Sequence, residues 1–93
     1  HQGARHRVLS KGDHILRAGT IADEVFFVHT GLLRYYFNDP NDEGQERTGQ
    51  FFDDGIVVTD AESFLAQVPA TQNFEALEAS SIVVLPRTVL ETG

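Results

Sequence analysis

No cysteine occurs anywhere in the 93 residues, which excludes disulfides and thiolate metal sites outright. A cysteine-free chain suits the cytoplasm, where disulfides are rare, and cytoplasmic is the expected localisation. Methionine is absent as well, and the chain opens at His1. Together these read as a trimmed piece whose flanking segments lie outside it. No apolar run approaches the roughly 18–20 residues that cross a bilayer as a helix, and the N-terminus carries no signal-peptide pattern. No membrane partner is therefore expected. Basic residues are scarce: seven Lys and Arg stand against fourteen Asp and Glu, a net charge of −7 and a pI near 4.8. A surface of that sign repels phosphate backbones, so this chain is not expected to hold DNA or RNA by itself. The overall charge does not exclude a small anion in one local pocket.

What is present is globular. Apolar residues make up 41% of the chain and fall in short runs along its whole length. The length fits one small domain spanning residues 1–93, a size that buries roughly 60–65% of the surface the unfolded chain exposes. The runs are β-rich and separated by Gly, Asn and Asp. Arg7 to Ser10 leads into a Lys11-Gly12-Asp13 turn, and His14 to Arg17 alternates before Ala18-Gly19-Thr20. Val25 to His29 reads as a strong strand from its branched and aromatic content. Leu32 to Asn38 follows the Gly31 break, and the turn formers from Asp39 to Gly44 mark a hairpin into Gln45–Phe52. Asp53-Asp54-Gly55 turns again, and Gln72–Glu78 and Ile82–Leu85 complete the strands.

Two stretches read otherwise. Asp60 to Gln67 has an acidic start, Phe64 and Leu65 at helical spacing, and Pro69 beyond its end. It predicts a helix of about two turns capped by Thr59 or Asp60. Pro86 to Glu91 reads as the opening of another helix. Strands of 4–8 residues spaced about 8–12 apart, with one short helix inserted late, predict a sandwich or barrel.

The pattern of residues carries a resemblance. Lys11-Gly12-Asp13, Gly19, Asp23, Val25-Phe26-Phe27-Val28, Gly31 and Arg34 are similar to the opening of a cyclic-nucleotide-binding domain. Gly44 and Glu46 after the hairpin, Phe51, Gly55, the inserted helix and Ala76-Leu77-Glu78 continue it, from about Val8 to Glu91. The chain thus resembles the sensory half of a Crp/Fnr-like bacterial regulator. The fold implied is mainly β: a double-stranded β-helix, or jelly-roll β-roll, with one short inserted helix and a short C-terminal helix. In such a roll the glycines supply the positive φ that tight corners require, and Phe26, Phe27, Phe37, Phe51, Phe52, Phe64 and Phe74 are expected in the core.

The family's chemistry sits in a phosphate-binding cassette. A Gly-Glu-Leu sequence opens the short helix, whose amides meet the cyclic phosphate, and the Glu meets the ribose. The Arg of an Arg-Ser/Thr-Ala sequence then pairs with the phosphate, a charge-assisted forked bond. Registered from Gly55, the resemblance places Thr59, Asp60 and Ala61 at the first triplet; registered back from Ala76, it places Ala70, Thr71 and Gln72 at the second. The acid and the hydroxyl are kept, and the arginine is not. A buried phosphate without its cation forfeits about 3–5 kcal/mol, and Asp60 and Glu62 add a repulsion on the order of 1–4 kcal/mol each. No Arg or Lys lies between Arg47 and Arg87, which leaves Arg34 or Arg47 on neighbouring strands as the candidates to reach the pocket. Ordinary cyclic AMP or cyclic GMP is not the expected ligand; a different small-molecule effector, or none, is. The chain resembles in this a subgroup of Crp/Fnr-like regulators whose cassette lacks the arginine.

The remaining constellations read as structural. His1 and His6 fall in a segment expected to fray, and His14 and His29 stand alone on separate strands, without the His-x-His pair of a metal-binding cupin. Asp53-Asp54 suits a turn, and Asp60 with Glu62 suits a helix N-terminus. No nucleophile–base arrangement or phosphate-cradling loop is visible, so no enzyme, metal or cofactor is expected. The resemblance implies a homodimer in the intact regulator and DNA contact only through a domain outside this chain. Three rivals remain open. One is the same module attached to a channel, kinase or exchange factor, and another is a small cupin-type enzyme. The third is a degenerate roll that only dimerises, its pocket filled by side chains such as Phe64 or Gln72.

Overall fold

The computed structural model describes residues 3–88. Eight strands and one helix follow in the order β1 (Arg5–Leu9), β2 (His14–Leu16), β3 (Glu24–Thr30), β4 (Leu33–Asp39), β5 (Gln45–Phe52), β6 (Val57–Val58), α1 (Ala61–Ala66), β7 (Asn73–Ala76) and β8 (Ser80–Pro86). They form two antiparallel four-stranded sheets with strand orders β1-β8-β3-β6 and β2-β7-β4-β5. The jelly-roll expectation holds.

Period-two alternation builds the interior. Phe26 and Val28 from β3, and Ile82 and Val84 from β8, point inward from one sheet. Leu33, Phe74 and Ala76 meet them from the other, with Leu9 and Val58 closing the cluster. Burial of such side chains contributes about 1.5–3 kcal/mol each. Gly31, at φ +122°, is required for a second reason: a Cβ there would run into the side chain and backbone of Ser80.

Several expectations need correction. Phe51 is not in the core but 59% exposed, because Phe52 takes the inward position and alternation sends its neighbour out. Phe27, Phe37 and Phe64 are half-buried. On α1 the buried residue is Ser63, and Leu65 is 77% exposed. His6 does not fray: it lies in β1, paired with Val83. The two-residue β6 was not foreseen. Pro86 ends β8 instead of opening a helix; Arg87 and Thr88 are helical, and the rest of the expected C-terminal helix lies outside the described residues.

Candidate functional site

The inserted helix hangs from the loop before β3. Asp60 is its N-cap, and Gln67, at φ 57°, ends it in the left-handed region. The Ser63 hydroxyl accepts from Ala22 N at 2.7 Å, and Gln67 Nε2 donates to Ala22 O at 3.1 Å. Gly19 N donates to Ala70 O, and Ala70 N to Thr20 O, both at 2.8 Å. These bonds fix both cassette triplets against one loop.

The triplets meet through Asp60. Its Oδ1 accepts from Ser63 N at 3.1 Å, the usual capping bond, and its Oδ2 accepts from Thr71 N at 3.3 Å. Thr59 turns its hydroxyl away to Glu24 O at 2.9 Å, Ala61 begins the helix as an exposed residue, and Ala70 is 4% exposed with both backbone groups paired. Amides that could meet an anion are thus met by the protein's own carboxylate.

Neither arginine left open by the sequence serves this place. Arg34 Nε donates to Glu75 at 2.9 Å, while its other nitrogens donate to Thr48 at 2.7 Å and Glu46 at 3.1 Å. Its guanidinium also lies 4.2 Å from the centroid of the Tyr36 ring. Desolvation opposes the Arg34 charge, but the hydrogen bonds and charges of Glu75 and Glu46 outweigh it and raise the pKa. Arg47 is held by Asp39 and Asp42 at the hairpin. Arg87 lies over the Phe64 ring, 4.1 Å from its centroid, with Nε 3.5 Å from the Asp23 carboxylate.

Beside Arg34, Tyr36 is buried, and burial, then the Glu46 and Glu75 charges, raises the pKa of its hydroxyl. His14 Nδ1 donates to Gly12 O at 3.1 Å, since a carbonyl oxygen only accepts, and Nε2 lies in hydrogen-bond contact with the Tyr36 hydroxyl at 2.7 Å. His14 is therefore part of this outer-face network. His29 sits edge-on to His6, their ring centroids 5.9 Å apart. Among the described residues no cluster of His, Asp and Glu is placed to hold a metal ion, and no helix is long and apolar enough to cross a membrane.

Between the sheets, aromatic rings fill the space. Tyr35, Phe52 and Phe74 form a triad with centroids 6.0 to 6.2 Å apart, and the Tyr35 ring lies where a Cβ on Gly49 would be. Phe64 and Gln72, whose filling of the pocket would have favoured the degenerate-roll rival, lie elsewhere: Phe64 packs under Arg87, and Gln72 lines a groove. That groove, about 350 Å³, is lined by Phe37, Asn38, Pro40, Thr71 and Gln72. Only Thr71 and Gln72 of the six expected site residues reach it. Phe37, Asn38 and Pro40 were not foreseen as site residues, because strand and hairpin residues carry no motif that marks a lining role.

The family described as cyclic nucleotide-binding domain matches residues 6–92. No curated protein sequence matches the chain. Among solved structures, the Thermus thermophilus catabolite activator protein superposes with a TM-score of 0.85 at 21% identity, covering 96% of this chain and 40% of that one. The sensor domain of the transcriptional regulator DNR from Pseudomonas aeruginosa gives 0.83 at 19%, with coverages of 96% and 58%. The regulatory subunit of a cAMP-independent protein kinase A from Trypanosoma brucei gives 0.84 at 22%, with coverages of 97% and 32%. The chain spans less than two thirds of each of these proteins, and the likeness at such identities is one of fold.

Proposed function

The chain belongs to the cyclic nucleotide-binding domain family, a ligand-binding, regulatory family, and on that premise we propose that it is the effector-sensing module of a Crp/Fnr-like bacterial transcription regulator, folded as one domain, whose cassette does not take cyclic AMP or cyclic GMP in the usual way. The observation that carries this reading is the Asp60 carboxylate, which accepts from both Ser63 N and Thr71 N where an anion would need them free. Among the described residues no guanidinium pairs with it: Arg34 and Arg47 are bound to carboxylates elsewhere, and Arg87 lies over Phe64 beside Asp23.

The module works as a non-enzymatic switch in a cytoplasmic homodimer that reaches DNA through a separate domain. A small-molecule effector near the cassette shifts the population between two poses of α1. The stack of Arg87 on Phe64, together with the bond from Arg87 N to Asp23 O at 3.0 Å, passes that pose to the start of the C-terminal segment. A second reading, the same module serving a kinase-type effector, is favoured by the likeness to the cAMP-independent kinase subunit.

The test is a thermal melt with cyclic AMP and cyclic GMP at about 1 mM. Ligand at 100 times its Kd adds about 2.7 kcal/mol, a shift on the order of 10 °C or more in a domain of this size. The expected result is no shift with either nucleotide. A clear shift would show that another group serves the phosphate and would overturn the reading.

A further inference from the structure

The groove at the cassette rim has a chemistry of its own. Phe37 and Pro40 give it an apolar surface, Asn38 and Gln72 bring two carboxamides, and Thr71 adds a hydroxyl; none of the lining side chains is charged. Polar side chains nearby are engaged: Asn73 Oδ1 accepts from Ala18 N, the Thr59 hydroxyl donates to Glu24 O, and Gln67 closes α1. In contrast, the Asn38 and Gln72 carboxamides and the Thr71 hydroxyl take no protein partner among the described residues. A carboxamide offers a donor and an acceptor side by side, and the volume falls at the small end of ligand pockets. The groove is open, with Asn38, Pro40 and Thr71 exposed at its rim, and no lining side chain offers a charged ligand a counter-charge.

We infer that this groove binds an uncharged, planar heterocycle with a donor and an acceptor on one edge, laid on Phe37 and Pro40 and read at that edge by Asn38 and Gln72. The inference rests on the sensor reading above and names the class of effector. It places that effector outside the Asp60 position, where Thr71 and Gln72 of the second triplet meet Phe37, Asn38 and Pro40, which the cassette motif does not include. Thr71 connects the two places: its side chain lines the groove, and its N–H is held by Asp60 at the N-cap of α1. Occupancy of the groove therefore bears on the pose of the helix.

The experiment is an amide-resolved NMR titration of the whole chain with nicotinamide, an uncharged planar amide, and with nicotinate, its anion of nearly the same shape. Nicotinamide is expected to shift the Thr71 and Gln72 amides and the Asn38 and Gln72 side-chain NH₂ groups saturably, with a Kd on the order of 1 mM for so small a probe. Nicotinate is expected to bind more weakly, since no lining side chain offsets its charge and the Asp60 carboxylate at Thr71 N repels it. The double variant Asn38→Ala/Gln72→Ala should lose the response while peaks from the core keep their positions, which separates loss of the site from loss of the fold. Equal response to both probes, shifts confined to residues elsewhere, or no response to nicotinamide overturns the inference. Each of those outcomes leaves the sensor reading standing, because that reading falls only if a cyclic nucleotide binds, and the melt reports on this independently.

Discussion

The two polar centres of the roll are built in opposite senses. On the outer face of the β2-β7-β4-β5 sheet, one cation, Arg34, is held by Glu75, Glu46, Thr48 and the face of Tyr36. At the cassette one carboxylate, Asp60, is held by two backbone N–H groups and meets no cation among the described residues. The difference teaches where an acidic chain of this size can place its few basic groups. Arg34 and Arg47 each have two carboxylates in reach on their own sheet or hairpin, and local ion pairs form at less entropic cost than a reach across the fold. The cassette is left with amides alone, and the nearest anion is its own.

The largest effect is expected from breaking the Arg34 side of the comparison. Arg34→Ala strands Glu75, whose side chain is only 19% exposed, and removes the stack on Tyr36. A loss of about 2–3 kcal/mol is expected, read as a fall in melting temperature on the order of 10–20 °C. Arg34→Lys keeps the charge but not the fork, and should recover part of the loss. A recovery to wild type would mean that the forked geometry contributes nothing.

Breaking the cassette side should cost less. Asp60→Ala removes the N-cap, expected to cost about 1–2 kcal/mol in chemical denaturation. It should also speed hydrogen exchange at Ser63 and Thr71 together. Faster exchange at Ser63 alone would show that the bond across to Thr71 does not tie the triplets.

The smallest effect belongs to Tyr36, whose ring lies under Arg34. Its hydroxyl pKa is raised in the folded protein, so stability is fully present below the unfolded value of about 10. It falls as pH rises above that value towards the folded one, because the unfolded chain ionises first. Tyr36→Phe should flatten this alkaline decline in denaturant midpoints while losing the His14 bond at every pH. An unchanged slope would remove Tyr36 from the account.

Most of the fold was legible in the sequence, since turn-forming glycines and period-two runs state both the corners and the faces. Gly12, Gly19, Gly31, Gly44 and Gly55 all adopt positive φ, as tight corners predicted. The errors have physical causes. Composition places Phe51 and Phe52 together in the core, but a strand can turn only one of two neighbours inward. A strand of two residues such as β6 is too short to show a period. At the site, Asp60 as a cap was readable from its place before an apolar stretch. Its second bond, to an amide 11 residues on, was not, because it depends on how the loop after Pro69 folds back. Phe37, Asn38 and Pro40 were invisible as lining residues, since each already had a reason to be in a strand or a turn.

The most direct test follows the Ser63 and Thr71 amide resonances as cyclic AMP is added to the whole chain. If Asp60 occupies the anion position, both stay where they are up to about 1 mM nucleotide, beyond what charge screening alone produces. If both move together and saturate, the phosphate has displaced the carboxylate, and the claim that this cassette is closed by its own side chain is wrong.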